Sequence, residues 1–460
     1  MTEKTSLYPD GEIPQKTPSS TKNLLKNWDF SALFFGGLIS AIGSNFSYIA
    51  TLFLVIHLSR HLPLELAAQS VSFIYIFLMI PNVLIGPFSG VLVDRIDRKR
   101  LMAFAEFLGA FTSFGLMLAD TLGMVYALVF LSSFTRLIFQ PAKGASIPRI
   151  VEIQDLVRAN SLNQTVFQMS SLIGPALAGV TIAKFGIPTA FLIDGISYLV
   201  SFVMILSIST DLKPETDGKK LTLGKTIKDI KKGLKLTFGE RVIGFIMVFF
   251  LIAVGAIGMI NPLLSFYLES TFNLGEEAFG FLISFSSVSG LLSAVIISSK
   301  GQIRNKVMMI LTTFGIIGAA MYLLGLAPSL GNPVLWLYVS MGLIGMVNVL
   351  ISIPLSTLLQ TLIANNDLGK VSSFMNTSLS IAQLSSGLVA SYLVLLLTID
   401  RLFQFLGIFL FVLTILGVSL AKLTGLDTYA ITREMEIILR KEASPSQDEF
   451  DKGTKESLPS

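Results

Sequence analysis

Glu106, Arg136 and Asp194 stand inside long apolar stretches, and Asp120 and Glu269 lie at the ends of such stretches. In hydrocarbon a charge costs at least about 2.5 kcal/mol, so each such group must pair, bind a charged ligand or titrate. Glu106 and Asp194 are candidate proton carriers, and Arg136 is a candidate for coupling or for attracting an anionic or polar ligand. Asn45, Tyr48, Gln140, Asn261, Asn348 and Ser352 are scattered among Phe and Met, and with Arg136 they form a candidate cavity set for a bulky amphiphile. Other chemistry is disfavoured. The chain has 0 cysteines, which removes thiolate nucleophiles and disulfides, and its 2 histidines, His57 and His61, have no metal-clamping spacing. No nucleophile, base and orienting group recur at a recognisable spacing, so no enzyme is expected and no cofactor is called for. No phosphate-binding loop of the Gly-x-x-x-x-Gly-Lys-Ser/Thr kind occurs, which argues against ATP as the energy source and leaves a proton gradient as the expected one.

The elements that hold these residues are membrane helices. Of the 460 residues, 52% are hydrophobic and only 14% charged, and the mean hydropathy is +0.72, whereas a soluble domain carries roughly 25% charged residues. At about 20 residues per crossing, twelve spans are predicted, near 31–58, 66–93, 101–120, 122–143, 160–183, 187–209, 242–268, 277–299, 306–327, 333–359, 372–398 and 402–423. The fold class is therefore an all-α membrane protein with twelve transmembrane helices in two six-helix halves. All but four of the 34 Lys and Arg fall on one side; Arg60, Lys184 and Arg401 fall on the other, and Arg136 lies within a span. The positive-inside rule then puts both termini in the cytoplasm and the chain in the cytoplasmic membrane. Net charge +4 is spread between spans instead of forming a patch, so no nucleic acid partner is expected.

Residues 1–29 read as a cytoplasmic tail without the apolar core of a cleavable signal, 30–209 as the first half, 210–241 as a linker, 242–424 as the second half and 425–460 as a second cytoplasmic tail. In the linker Ile227, Ile230 and Leu234 share a helical face, away from most of Lys225, Lys228, Lys232 and Lys235, as in a helix lying on an anionic inner leaflet. Ile431 to Arg440 has the pattern of one amphipathic helix. A monomer is expected.

Between spans two and three, Gly90 leads into Asp94-Arg95-Ile96-Asp97-Arg98-Lys99-Arg100, with four cations and two anions in seven residues. Such a run cannot sit in hydrocarbon and marks a surface turn. Gly90 permits close helix approach, Asp94 can face a positive helix end, and Arg95 and Arg98 can bind carboxylates or lipid phosphates. In span five, Gly174-Pro175 frees a backbone carbonyl and Gly179 leaves a flat surface, which suits a bend or a seal. At 1.5 Å per residue Arg136 lies roughly 21 Å from the outer edge, in the inner third of the membrane.

These pieces resemble the major facilitator superfamily, and within it the drug and proton antiporter branch that includes macrolide and siderophore exporters. The resemblance rests on the 90–100 cluster, Trp28-Asp29-Phe30, Gln140-Pro141-Ala142-Lys143 with Ile147-Pro148, Arg158-Ala159-Asn160-Ser161 and Ile173 to Gly179, and covers nearly all of residues 20–425. Asp97 stands where the superfamily usually writes a second glycine, and Ser170 where a glycine is often found. The resemblance implies that Gly90, Asp94, Arg95 and Arg98 form a conformational latch favouring the outward-open state. It implies that Gly174, Pro175 and Gly179 are the antiporter motif, and that spans one, four, seven and ten line the central path. The expected activity is proton-coupled efflux of an amphiphilic small molecule, such as a drug, macrolide or siderophore, by alternating access. The rivals are a lysophospholipid flippase or importer of the same fold, and a transport-inactive sensor or binding protein.

Overall fold

The computed structural model describes residues 21–86, 89–93, 95–214, 223–299, 303 and 305–443. Among these residues the regular structure is helical. The first half comprises α1 (Trp28–Leu58), α2 (Leu64–Leu84), α3 (Arg98–Met117), α4 (Leu122–Ile150), α5 (Leu156–Phe185) and α6 (Ile187–Leu206). The second comprises α7 in two pieces (Arg241–Ile257 and Ile260–Phe272), α8 (Glu276–Ser299), α9 (Lys306–Leu326), α10 (Pro333–Leu362), α11 (Asn365–Leu393) and α12 (Ile399–Leu423). Ten of these helices are long and apolar enough to cross a membrane on composition alone. The other two are α3, which opens on Arg98-Lys99-Arg100, and α11, whose Ser, Asn and Gln residues face inward onto a cavity.

The packing repeats with a shift of six helices. Within the first half α1 packs on α5 and α6, α2 on α4, and α3 on α4 and α6; in the second, α7 packs on α11 and α12, α8 on α10, and α9 on α10 and α12. The halves meet through the equivalent pairs α5 with α8 and α2 with α11. Two six-helix units of this kind, related by repetition, place their shared surface at the centre of the bundle.

Local chemistry sets the helix ends. The Asn27 side chain caps α1 by accepting from the N–H groups of Asp29 and Phe30, and its Nδ2 donates to the Ile150 carbonyl at 3.0 Å, where α4 ends. Asp29 accepts from the N–H groups of Ser209 and Thr210 at 2.9 and 2.8 Å, which fastens the start of the first half to its last residues. The Trp28-Asp29-Phe30 sequence is thus a structural clamp.

Several spans differ from expectation. The second stops at Leu84 and a short helix, Ser89–Val93, follows. The fourth runs to Ile150 and past Pro141 and Pro148, about two turns beyond its expected end. The seventh breaks between Ile257 and Ile260 because Pro262 has no N–H to give the carbonyl of Gly258. The linker helix, Leu223–Gly239, docks on α11: Gly233 lies against the Lys370 carbonyl, Lys232 Nζ meets Asp367 Oδ1 at 3.0 Å, and the rings of Phe238 and Phe374 stand 6.3 Å apart, edge to face. Its Gly233 and Thr237 are buried, Ile230 on the same face is half-buried and Leu234 is 43% exposed, so protein covers one edge of the apolar face read from the sequence. The side chains of Lys225 and Ile227 lie outside the described residues. The C-terminal amphipathic helix spans Leu426–Ala443.

Candidate functional site

The centre of the bundle holds three adjoining cavities. One of about 590 Å³ is lined by α1 (Ser40, Ser44, Asn45, Tyr48), α3 (Glu106), α4 (Arg136, Gln140, Lys143) and α5 (Asn163, Gln164, Ser170). A second of about 390 Å³ shares Ser44, Tyr48, Arg136 and Tyr198 with it and adds Tyr75, Ser113 and Asp194. The third, about 600 Å³, meets the second at Tyr75 and is otherwise formed by the second half, with Asn348, Ser352, Asn376 and Gln383 among Phe250, Val254, Met375 and Leu379. Four polar or ionisable candidates, Asn45, Tyr48, Arg136 and Gln140, therefore share one cavity, and Asn348 and Ser352 share another. Asn261 sits in the second piece of α7, and its side chain lies outside the described residues.

Helical periodicity makes these walls. Arg136, Gln140 and Lys143 follow the i, i+4, i+7 spacing that puts side chains on one face of α4, and Ser40, Ser44 and Ser47 do the same on α1. Lys143 escaped the reading of ionisable groups because it was placed at the end of a span. The same spacing, counted on from Arg136, was the signal that would have found it. It is buried, and Gly37 of α1 makes room for it: a Cβ there would stand 2.6 Å from Nζ.

Both expected carboxylates are buried against hydroxyls. Ser40 Oγ donates to Glu106 Oε1 at 3.4 Å, and Ser113 Oγ donates to Asp194 Oδ2 at 2.5 Å. The second oxygen of each has no hydrogen-bond partner among the described residues. A carboxyl with one bonded and one open oxygen can take up a proton and turn acceptor into donor.

The expected substrate path also widens. Helices α5 and α11 add polar lining to that of the spans the resemblance pointed to, through Asn163, Gln164, Asn376 and Gln383.

At the turn after α2, Asp94 lies outside the described residues, and of Gly90 only the helical backbone is described. Two of the neighbouring cations meet backbone carbonyls, and Arg100 lies 3.9 Å from Asp97 Oδ2. Arg98 Nη1 donates to the Ala145 carbonyl at 3.0 Å, and Lys99 Nζ to the Ile208 carbonyl at 2.7 Å. Ala145 lies in the last two turns of α4 and Ile208 just past the end of α6, where the helix dipole attracts cations. Asp97 caps α3 by accepting from the Lys99 N–H at 2.9 Å. Arg95 is exposed.

Of the helix-five motif, Pro175 and Gly179 lie at the interface between halves, while Gly174 packs on Asn45 of α1 in its own half. A Cβ on Gly179 would stand 2.5 Å from the Glu276 carbonyl at the start of α8, and Gly280 of α8 packs equally closely on the Pro175 carbonyl. Pro175 has no N–H for the Ser171 carbonyl, and Ser287 Oγ of α8 donates to that carbonyl at 3.0 Å. The Ala176 N–H donates to Ser284 Oγ at 3.1 Å. At the same end of the bundle Arg60 Nη2 pairs with Glu269 Oε1 at 2.9 Å and Gln69 Nε2 donates to the Ser391 carbonyl at 3.1 Å. The halves are closed together there, while Gln140, Lys143 and Gln164 line the cavity toward the opposite end, which carries Arg98 to Arg100.

Two repeated six-helix units around a polar central cavity, closed at one end, define a multi-pass membrane transporter, not an enzyme. The chain belongs to the Major Facilitator Superfamily, which it matches over residues 33–387. It is similar to the uncharacterized MFS-type transporter YfiS of Bacillus subtilis (strain 168), 28% identical over 200 residues, 43% of this chain and 46% of that protein. It thus spans about half the length of that relative. It is also similar to macrolide efflux protein A of Enterococcus faecalis, 23% identical over 264 residues, 55% of this chain and 79% of that one. Among solved structures, a bacterial homologue of the iron transporter ferroportin in an inward-facing state matches with TM-score 0.66 and 15% identity, over 90% of this chain and 100% of that one. The last likeness concerns the fold.

Proposed function

We propose that this transporter exports an amphiphilic small molecule by alternating access, exchanging it for protons. The observation that carries this reading is the arrangement of the central cavities: every charged lining residue belongs to the first half, and the second half offers amides and hydroxyls among apolar side chains. Similarity to macrolide efflux protein A favours the outward direction. In this reading the end carrying Arg98 to Arg100 faces the cytoplasm across an inner membrane, with both termini inside and the described state open inward, an orientation that the bias of Lys and Arg supports. The exposed Lys228 and Lys235 of the linker helix then face an anionic leaflet, and the chain works as a monomer.

Glu106 is the proton carrier in this reading, with Asp194 second. Glu106 lines the larger cavity, has one buried oxygen without a hydrogen bond among the described residues, and has Lys143 lining the same wall. One proton crossing at about 100 mV supplies roughly 2.3 kcal/mol, sufficient for about a 50-fold gradient of a neutral substrate. In inverted vesicles given an acid interior, uptake of at least one of a panel of acidic, zwitterionic and cationic amphiphiles should exceed that in vesicles lacking the protein, and should collapse with a protonophore. Glu106→Gln should abolish the gradient-driven part while leaving counterflow exchange. Uptake confined to right-side-out vesicles would instead make the protein an importer, and binding without flux would make it a sensor.

A further inference from the structure

The charged wall does not present its charges equally. Asp194 is 1% exposed, Glu106 2% and Lys143 5%, and hydroxyls from Ser113 and Ser40 donate to the two carboxylates. Arg136 is exposed, and it lines both cavities of the first half. Among the described residues its guanidinium makes no ion pair within 4.0 Å of a protein carboxylate. Gln140, one turn along α4, is exposed in the larger of those cavities. What a ligand meets on this wall is a planar cationic fork beside an amide, not a balanced set of charges. Such a fork matches the two oxygens of a carboxylate, with shorter and stronger hydrogen bonds than neutral donors make. Across the centre, Phe250, Val254, Met375 and Leu379 offer apolar surface with no formal charge among the lining residues.

We propose that the transported amphiphile carries a carboxylate head that docks on Arg136 and Gln140, while its apolar body rests on the wall made by α7 and α11. This rests on the export reading and narrows it to acidic or zwitterionic amphiphiles. A purely cationic amphiphile would bring its charge against the only exposed cation of the wall.

The test uses the full chain in lipid nanodiscs and three radiolabelled probes of one tail length: N-octanoylglycine, its glycinamide analogue and octanoylcholine, with binding to empty nanodiscs subtracted. Saturable binding of the acid at least tenfold tighter than of the amide or the cation is expected. Arg136→Gln should bring the acid down to the level of the amide, and Arg136→Lys should keep the acid preferred at reduced affinity. Thermal unfolding of each variant reports whether it is folded. Equal affinity for acid and amide, preference for the cation, acid binding untouched in folded Arg136→Gln, or saturable binding of none of the three would overturn the proposal. If the cation is pumped in proteoliposomes without need of Arg136, this inference falls and the export reading stands. If the acid binds through Arg136 yet no amphiphile crosses under any gradient, the anion site stands and the export reading falls.

Discussion

Ser287 of α8 donates its hydroxyl to the carbonyl of Ser171 in α5, at 3.0 Å, and that carbonyl is the one Pro175 leaves without an intrahelical donor. The proline therefore supplies a backbone acceptor that a hydroxyl of the opposite half can satisfy. In a membrane interior an unsatisfied carbonyl is costly, so the bond favours the state in which α5 and α8 are pressed together.

Removing both hydroxyls should loosen this closure. Ser284→Ala with Ser287→Ala leaves the Ser171 carbonyl and the Ala176 N–H without their cross-half partners, at about 1–3 kcal/mol for a buried group. The chain's 0 cysteines make a single introduced cysteine a clean reporter. A cysteine at Gln69 should react at least about tenfold faster with a membrane-impermeant maleimide in the double variant, since 1.4 kcal/mol is tenfold in population. An unchanged rate would show that the serines do not hold the closed state.

Gly280 admits no side chain while α5 is in place. A Cβ there would collide with the Pro175 carbonyl, whereas Gly255 in α7 has nothing within 4 Å. Gly280→Val should raise the same maleimide reactivity and cut transport. Gly255→Ala serves as the matched control and should leave both nearly unaltered. Equal behaviour of the two variants would refute a seal at this contact.

Arg60 and Glu269 join the halves near the surface, with side chains 63% and 27% exposed. Solvent screening limits such a pair to about 0.2–1 kcal/mol. A double-mutant cycle with Arg60→Glu and Glu269→Arg should show coupling of that size, read as the midpoint of maleimide protection, and shrinking as salt rises. The charge-reversed double variant should recover most of the protection lost in either single one.

Asp367 of α11 ties the linker helix through Lys232 at 3.0 Å, and Lys370 of its own helix holds it at 2.5 Å. Hydrogen bonds from Lys370 and then from Lys232 hold its carboxyl below the usual carboxylate range, while Asp367 raises the Lys370 ammonium. Because the folded-state value is lowered, the tie is fully present above the ordinary value, about 4, and is lost as pH falls through the lowered one. Hydrogen exchange over residues 223–239 should therefore stay slow from pH 7 to about 4 and rise only in stronger acid. Asp367→Asn should raise it throughout this range. Exchange that rises already near pH 6 would mean another group controls docking.

Much of this arrangement was legible in the order of residues. Water and hydrocarbon sort side chains by a single property, so apolar runs and the Lys and Arg between them revealed twelve crossings and two halves before any contact was known. Helix breaks inside a span were less legible: Pro262 splits α7, yet Pro141 and Pro148 leave α4 running to Ile150. A proline removes one hydrogen bond in each case, so its presence alone does not decide whether a helix breaks.

The sequence by itself determined which residues are too polar for lipid and must turn inward: Glu106, Arg136, Asp194, Asn45 and Asn348 among them. Only the tertiary structure decided how each is used. It buried Glu106 and Asp194 against hydroxyls from other helices, drew Lys143 into the same wall, and left Arg136 facing open space. It also gave Arg98 a backbone carbonyl and made the Pro175 turn of α5 a joint between halves. The reason is physical: polarity is a property of one residue, whereas pairing depends on which helix packs alongside, and that is set by small residues and register across the whole bundle.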